Sequence, residues 1–138
     1  MIKVRAFTDG SYKHGKSSWA FIIVDKDNNI IYQERGFLRG KINKLHQISG
    51  ELTSVLKAVE YCIINGYIVD IVTDYNGIIL WLNDYFGNGQ KPWKPKNIWT
   101  DNYREFMVRN KYAINSISKV AAHSGNLLND YVDNLCKM

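Results

Sequence analysis

Apolar and polar residues alternate along residues 2–9, IKVRAFTD, with the period of two that a half-buried strand shows. Gly10 and Ser11 are expected to end that strand. Residues 19–24, WAFIIV, form an unbroken apolar run short enough for a buried strand. A turn cluster follows at 25–29, DKDNN, and residues 30–37 read as a third strand. The chain therefore opens as a three-stranded antiparallel meander.

The period then changes. Leu52, Val55, Leu56, Val59, Cys62 and Ile63 recur at spacings of three and four, which predicts an amphipathic helix over 51–64 stopped by Asn65-Gly66. Ser49 is the expected cap, which puts Glu51 in the first turn. Residues 68–73, IVDIVT, read as a buried strand, and Ile78, Ile79 and Leu82 mark a helical stretch with core contacts. Both prolines and three lysines fall in 87–97, a stiff loop. A helix over 98–109, a strand over 112–121 and a helix over 127–137 complete the order β-β-β-α-β-α-α-β-α. That order predicts an α/β fold in one domain, 1–138, with a five-stranded mixed sheet flanked by helices.

Composition narrows the function classes. The 138 residues are 46% hydrophobic and 13% aromatic, enough for an ordinary core. No apolar run approaches the roughly 20 residues of a membrane span, and no signal-peptide core opens the chain. Cys62 and Cys136 lie far apart, so neither disulfide nor zinc logic applies and a reducing cytoplasm is the expected setting. Eighteen Lys and Arg against thirteen Asp and Glu give a net charge of +5. A basic balance favours a polyanionic partner.

The acids supply the candidate chemistry. Asp9 ends the first strand, Glu51 starts the first long helix, Asp74 ends the fourth strand and Asp133 lies in the last helix. Taken singly, Asp9 or Asp74 is as readily a strand-end cap, Glu51 a helix-dipole acid and Asp133 a solvated helix residue. Taken together they fit a convergent site beyond the ends of parallel strands one and four. Four carboxylates in one place repel unless cations sit among them. All-oxygen ligands favour Mg²⁺, with Mn²⁺ as a substitute, over zinc. Two such ions, about 3.5–4 Å apart, can activate water and stabilise the leaving oxygen of a phosphodiester.

Ordered motifs sharpen this. Thr8-Asp9-Gly10-Ser11, Ser49-Gly50-Glu51-Leu52, Val72-Thr73-Asp74-Tyr75 with Gly77, Ile78 and Trp81, and Ala122-His123-Ser124-Gly125 with Asn129 and Asp133 span nearly the whole chain. In these motifs the chain resembles type 1 ribonuclease H, in a short form whose residues 87–97 stand where many relatives carry a long basic protrusion. The resemblance implies metal-dependent endonucleolytic cleavage of the RNA strand of an RNA/DNA hybrid, leaving 5′-phosphate and 3′-hydroxyl ends. It assigns Asp9, Glu51, Asp74 and Asp133 as metal ligands, choosing Asp133 over Asp130 by its spacing from His123. It gives His123 a part in proton transfer or product release, and Asn129 the orientation of a ligand or water.

An RNA/DNA hybrid presents 2′-hydroxyls across a wide minor groove. Gly10, Ser11 and Tyr12 are candidates for reading them. Gln47 stands where the family has an amide residue that reaches that groove, and Asn97 matches an asparagine that helps to hold a DNA-strand phosphate. Trp93 and Lys94 are candidate contacts in the 87–97 loop, whereas Trp81 and Trp99 suit core anchors better. The chain departs from the family pattern at His46 and Ile48. Those departures motivate two rivals: a non-catalytic hybrid- or duplex-binding module, and another nuclease of this fold acting on DNA. A monomer that does not engage a membrane is the expected assembly.

Overall fold

Three antiparallel strands open the chain: β1 (Ile2–Lys13), β2 (Lys16–Val24) and β3 (Ile30–Leu38). They are followed by α1 (Gln47–Ile64), β4 (Tyr67–Thr73), the short α2 (Asn76–Leu80), α3 (Ile98–Arg109), a 3₁₀ turn (Lys111–Ala113), β5 (Ile114–Lys119) and α4 (Leu127–Lys137). This is a computed structural model, and it describes residues 2–38, 47–82, 98–120 and 126–138. The five strands form one mixed sheet in the order β3-β2-β1-β4-β5. β1–β2 and β2–β3 are antiparallel; β1–β4 and β4–β5 are parallel. The element order and the mixed sheet are those the hydrophobic pattern predicts.

Burial explains the apolar run of β2. On one face of the sheet Ala6, Phe21, Ile23 and Ile71 pack with Val55 and Val59 of α1 and with Tyr103. On the other face Phe7, Ala20, Ile22 and Val24 pack with Val132 and Leu135 of α4. Over residues 19–24 the strand is covered on both sides, and every position there is apolar. Trp81 is fully buried in the first cluster together with Ile78, Ile79 and Leu82, as their spacing predicts. The side chain of Trp99 lies outside the described residues. Among the described residues, no helix is long and apolar enough to cross a membrane.

Three boundary regions differ most from expectation, each through a tertiary contact, and the first includes the start of β2 at Lys16 rather than Trp19. β1 does not end at Gly10. Its pairing with β4 stops at Thr8 opposite Thr73, but its pairing with β2 continues from Asp9 opposite Ala20 to Lys13 opposite Lys16. His14 and Gly15, with φ of 53° and 75°, turn the hairpin with the left-handed dihedrals that match strand twist. Second, α1 begins at Gln47, so Ser49 is buried inside the helix rather than capping it, and Glu51 lies beyond the first turn. Packing supports the extra turn: Ile48 rests on the core and Gly50 lies against the hairpin. Third, the 3₁₀ turn delays β5 to Ile114 and the strand ends at Lys119, after which the Val120 N–H donates to the Thr73 carbonyl at 2.8 Å.

The glycine of the first motif acts by allowing contact. A Cβ on Gly10 would stand 2.2 Å from the backbone nitrogen of Glu51, and one on Gly50 would stand 2.2 Å from the carbonyl oxygen of Ser18. The sheet and the start of α1 touch backbone to backbone here. Gly10→Ala and Gly50→Ala are each expected to destabilise the fold by about 1–3 kcal/mol or more through overpacking. Gly66, at φ 70° with open space around it, should lose only the strain of a left-handed residue, about 1–2 kcal/mol. Chemical denaturation of the three variants checks the order.

Candidate active site

β1 and β4 run parallel and in register, so the residues that follow Thr8 and Thr73 emerge side by side. These are Asp9 and Asp74. The glycine contact brings α1 against β1, and Glu51 enters the same place from the helix. Carboxylate oxygens of Asp9, Glu51 and Asp74 all lie within 4.8 Å of one another. Asp9 is 2% exposed and Glu51 is fully buried. The Gly10 N–H donates to Asp9 Oδ1 at 2.9 Å and fixes its rotamer. Among the described residues, Asp9 Oδ2 and both oxygens of Glu51 have no hydrogen-bond partner.

Asp133 approaches from α4 on the Asp9 side, outside that tight group of three. Lys137, one turn later, donates to its Oδ2 at 3.0 Å. Asp130 stays in the first turn of α4, so the helix turns Asp133 rather than Asp130 toward Asp9. Asn126 caps α4 by accepting from the Asn129 N–H at 3.0 Å. Asn129 is 2% exposed and its Oδ1 has no partner among the described residues. Two contacts bind the helix end to the strands: Ser18 Oγ donates to the Cys136 carbonyl at 2.9 Å, and Arg35 donates to the Met138 oxygen at 2.8 Å.

This geometry perturbs the acids strongly. Burial pushes the Asp9 carboxyl up from 3.8 to about 8, with the Asp133 carboxyl beside it and the Asp74 charge adding to the effect. Glu51 is raised well above 4.5, first by burial and then by the charges of Asp9 and Asp74. The Cys136 thiol, whose Sγ faces the Asp9 carbonyl at 3.7 Å, is pushed up to about 12 by burial and remains neutral. Buried carboxylates with unsatisfied oxygens fit a divalent cation: it would satisfy the lone pairs and cancel the repulsion that raises their pKa values. The donor set is all oxygen, which suits a hard cation.

A family model described as RNase H matches residues 2–138. The chain belongs to the RNase H family. A search of curated protein sequences finds no match. Among solved structures, RNase H1 from the halophilic archaeon Halobacterium salinarum is 14% identical, with a TM-score of 0.73 over 98% of this chain and 95% of that one. The N-terminal RNase H domain of rv2228c from Mycobacterium tuberculosis is 12% identical, with a TM-score of 0.77 over 99% and 92%. LC11-RNase H1, isolated from compost and solved in complex with an RNA/DNA hybrid, is 10% identical, with a TM-score of 0.68 over 97% and 96%. At these identities the likeness is one of fold. This RNase H chain thus carries the RNase H sheet with an acidic cluster at the carboxyl ends of its parallel strands.

Of the residues singled out in the sequence, Asp9, Glu51 and Asp74 are brought together and Asp133 is brought beside Asp9. Gly10 is occupied by its contact with α1. Ser11 and Tyr12 follow on β1, with Tyr12 43% exposed. Gln47 opens α1, and its side chain lies outside the described residues, as do His46, His123, Trp93, Lys94 and Asn97. Ile48, where an amide would be expected, turns into the core. Lys137 was missed, although its spacing of four from Asp133 is a readable helical ion pair.

Asp9 and Glu51 have folded pKa values above their unfolded ones. The stability they contribute is full below about pH 4 and is lost as pH rises through about 8 for Asp9. The metal-free protein should therefore lose thermal stability between about pH 5 and 8.5. Asp9→Asn should flatten that fall and raise the midpoint at pH 8. Added Mg²⁺ or Mn²⁺ should raise the wild-type midpoint most at the alkaline end. Thermal scans across pH, with and without metal, check all three.

Proposed function

We propose that the protein is an endonuclease that hydrolyses the RNA strand of RNA/DNA hybrids. The observation that carries this reading is the cluster of Asp9, Glu51 and Asp74, two of them buried with unsatisfied oxygens, at the strand ends of an RNase H family chain. The hybrid seen with LC11-RNase H1 on the same fold supports the substrate class.

Asp9, Glu51, Asp74 and Asp133 would hold two divalent ions. The chemistry such ions would supply is activation of a water and stabilisation of the leaving oxygen, which would leave 5′-phosphate and 3′-hydroxyl ends. The chain's own contribution is positional. Parallel register fixes the separation of Asp9 and Asp74, the glycine contact fixes Glu51, and the Gly10 N–H holds one oxygen of Asp9. Among the described residues no hydrogen bond competes for Asp9 Oδ2 or for the two oxygens of Glu51. Lys137 holds Asp133 by its hydrogen bond and orients it. His123 is assigned proton transfer or product release, and Asn129 the orientation of a ligand or water. Gly10, Ser11, Tyr12 and Gln47 border the minor-groove side, with Trp93, Lys94 and Asn97 assigned to flanking backbone contacts.

In Mg²⁺, a labelled hybrid should be cut in its RNA strand while duplex DNA is left intact. Asp9→Asn should lower the rate by about a thousandfold or more, roughly 4 kcal/mol of transition-state stabilisation, while the protein stays folded. Full activity in Asp9→Asn would refute the assignment, and equal cutting of DNA would refute the hybrid specificity.

A further inference from the structure

The register of the β1–β2 hairpin carries the acid site's face onward. Asp9, Ser11 and Lys13 stand on one face of β1 by the two-residue repeat of a strand. Their partners on β2 are Ala20, Ser18 and Lys16. This face is covered by α4 as far as the helix reaches and then opens. The opening is a cavity of about 280 Å³, lined by Ser11, Lys13, His14, Lys16, Phe37 and Lys137 among others. Among the described residues, no Asp or Glu side chain lines it.

Two features mark the cavity as built for an anion. Lys13 and Lys16 are directly opposite each other across the hairpin. Like charges in that position repel and weaken strand pairing, and among the described residues neither lysine has an acidic partner. The Lys16 ammonium also lies 5.8 Å from the centroid of Phe37, a ring left 53% exposed. A pair of cations beside a half-exposed aromatic ring offers one contact to a phosphate and one to a sugar or base.

We propose that this groove is a backbone subsite for the nucleic acid whose scissile bond lies at Asp9. Lys13 and Lys16 clasp a flanking phosphate, and Phe37 supports the adjoining sugar or base. The inference rests on the nuclease reading of the acid site. Lys13 lies four residues beyond Asp9, about 13 Å along the strand, with Ser11 between. One elongated polyanion can therefore meet the acid site at one end and relieve the lysine repulsion at the other. A phosphate contact of this kind positions the duplex and carries no sequence preference.

The test is binding of a labelled RNA/DNA hybrid without divalent ions across a salt series, followed by steady-state cleavage in Mg²⁺. Lys13→Gln/Lys16→Gln should weaken binding about tenfold and reduce the slope of log affinity against log salt by roughly 0.9 per lysine. In cleavage it should raise KM and leave kcat at saturation near wild type. Phe37→Leu should weaken binding about threefold with the slope unchanged. Lys3→Gln/Lys26→Gln, at a separate cavity that Arg5 and Asp70 also line, should change neither quantity appreciably. If the double hairpin variant does not fold, Lys13→Gln alone should lose half the slope change.

An unchanged slope in the hairpin variants, or an equal loss in the Lys3/Lys26 control, overturns the subsite. A lysine-dependent slope in a protein that cleaves nothing would support the groove while defeating the nuclease reading. Normal cleavage with a slope indifferent to Lys13 and Lys16 would defeat the groove alone.

Discussion

The backbone contact between Gly10 and the start of α1 is the constraint on which the site's architecture depends. Sheet and helix normally meet through side chains, with several ångströms of packed atoms between their backbones. Here neither partner can carry even a Cβ without collision. The gain is that Glu51, on the helix, reaches the plane of carboxylates set by two strands. Parallel pairing sets Asp9 beside Asp74, and the glycines set the third acid against them. Tethers from Ser18 and Arg35 to the end of α4 then hold the last helix, and Asp133 with it, against the same edge.

The acids work as a group because each is held by a different part of the fold. Strand hydrogen bonds, helix packing and helix–strand contacts all resist the repulsion that would drive the carboxylates apart. In a site this buried the response is protonation, the direction in which Asp9 and Glu51 are both shifted. The ion pair of Lys137 with Asp133 belongs to a wetter rim, where exposure weakens its effect.

Much of this was legible in the sequence. The alternation in 2–9, the run WAFIIV and the 3.6-residue spacing after Glu51 gave the element order, and the motifs named the acids. What was not legible depended on contact. Gly10 reads as a strand breaker until α1 is seen pressed on it. Ser49 reads as a cap until the helix is seen to begin earlier, supported by Ile48 and the hairpin. The opposed lysines are invisible until the two-residue turn at His14-Gly15 fixes the register, since a slip of one residue would send them to opposite faces.

The unsatisfied oxygens of Asp9 and Glu51 have a consequence for how such a protein could be altered. Their energy is uncompensated in the bare fold and is recovered only when a cation enters. Replacing either acid by a neutral isostere would relax the resting molecule. A search for more heat-resistant variants, made without asking for activity, would therefore tend to erode this cluster before it improved the core. The least comfortable residues of the resting fold are the ones its chemistry cannot spare.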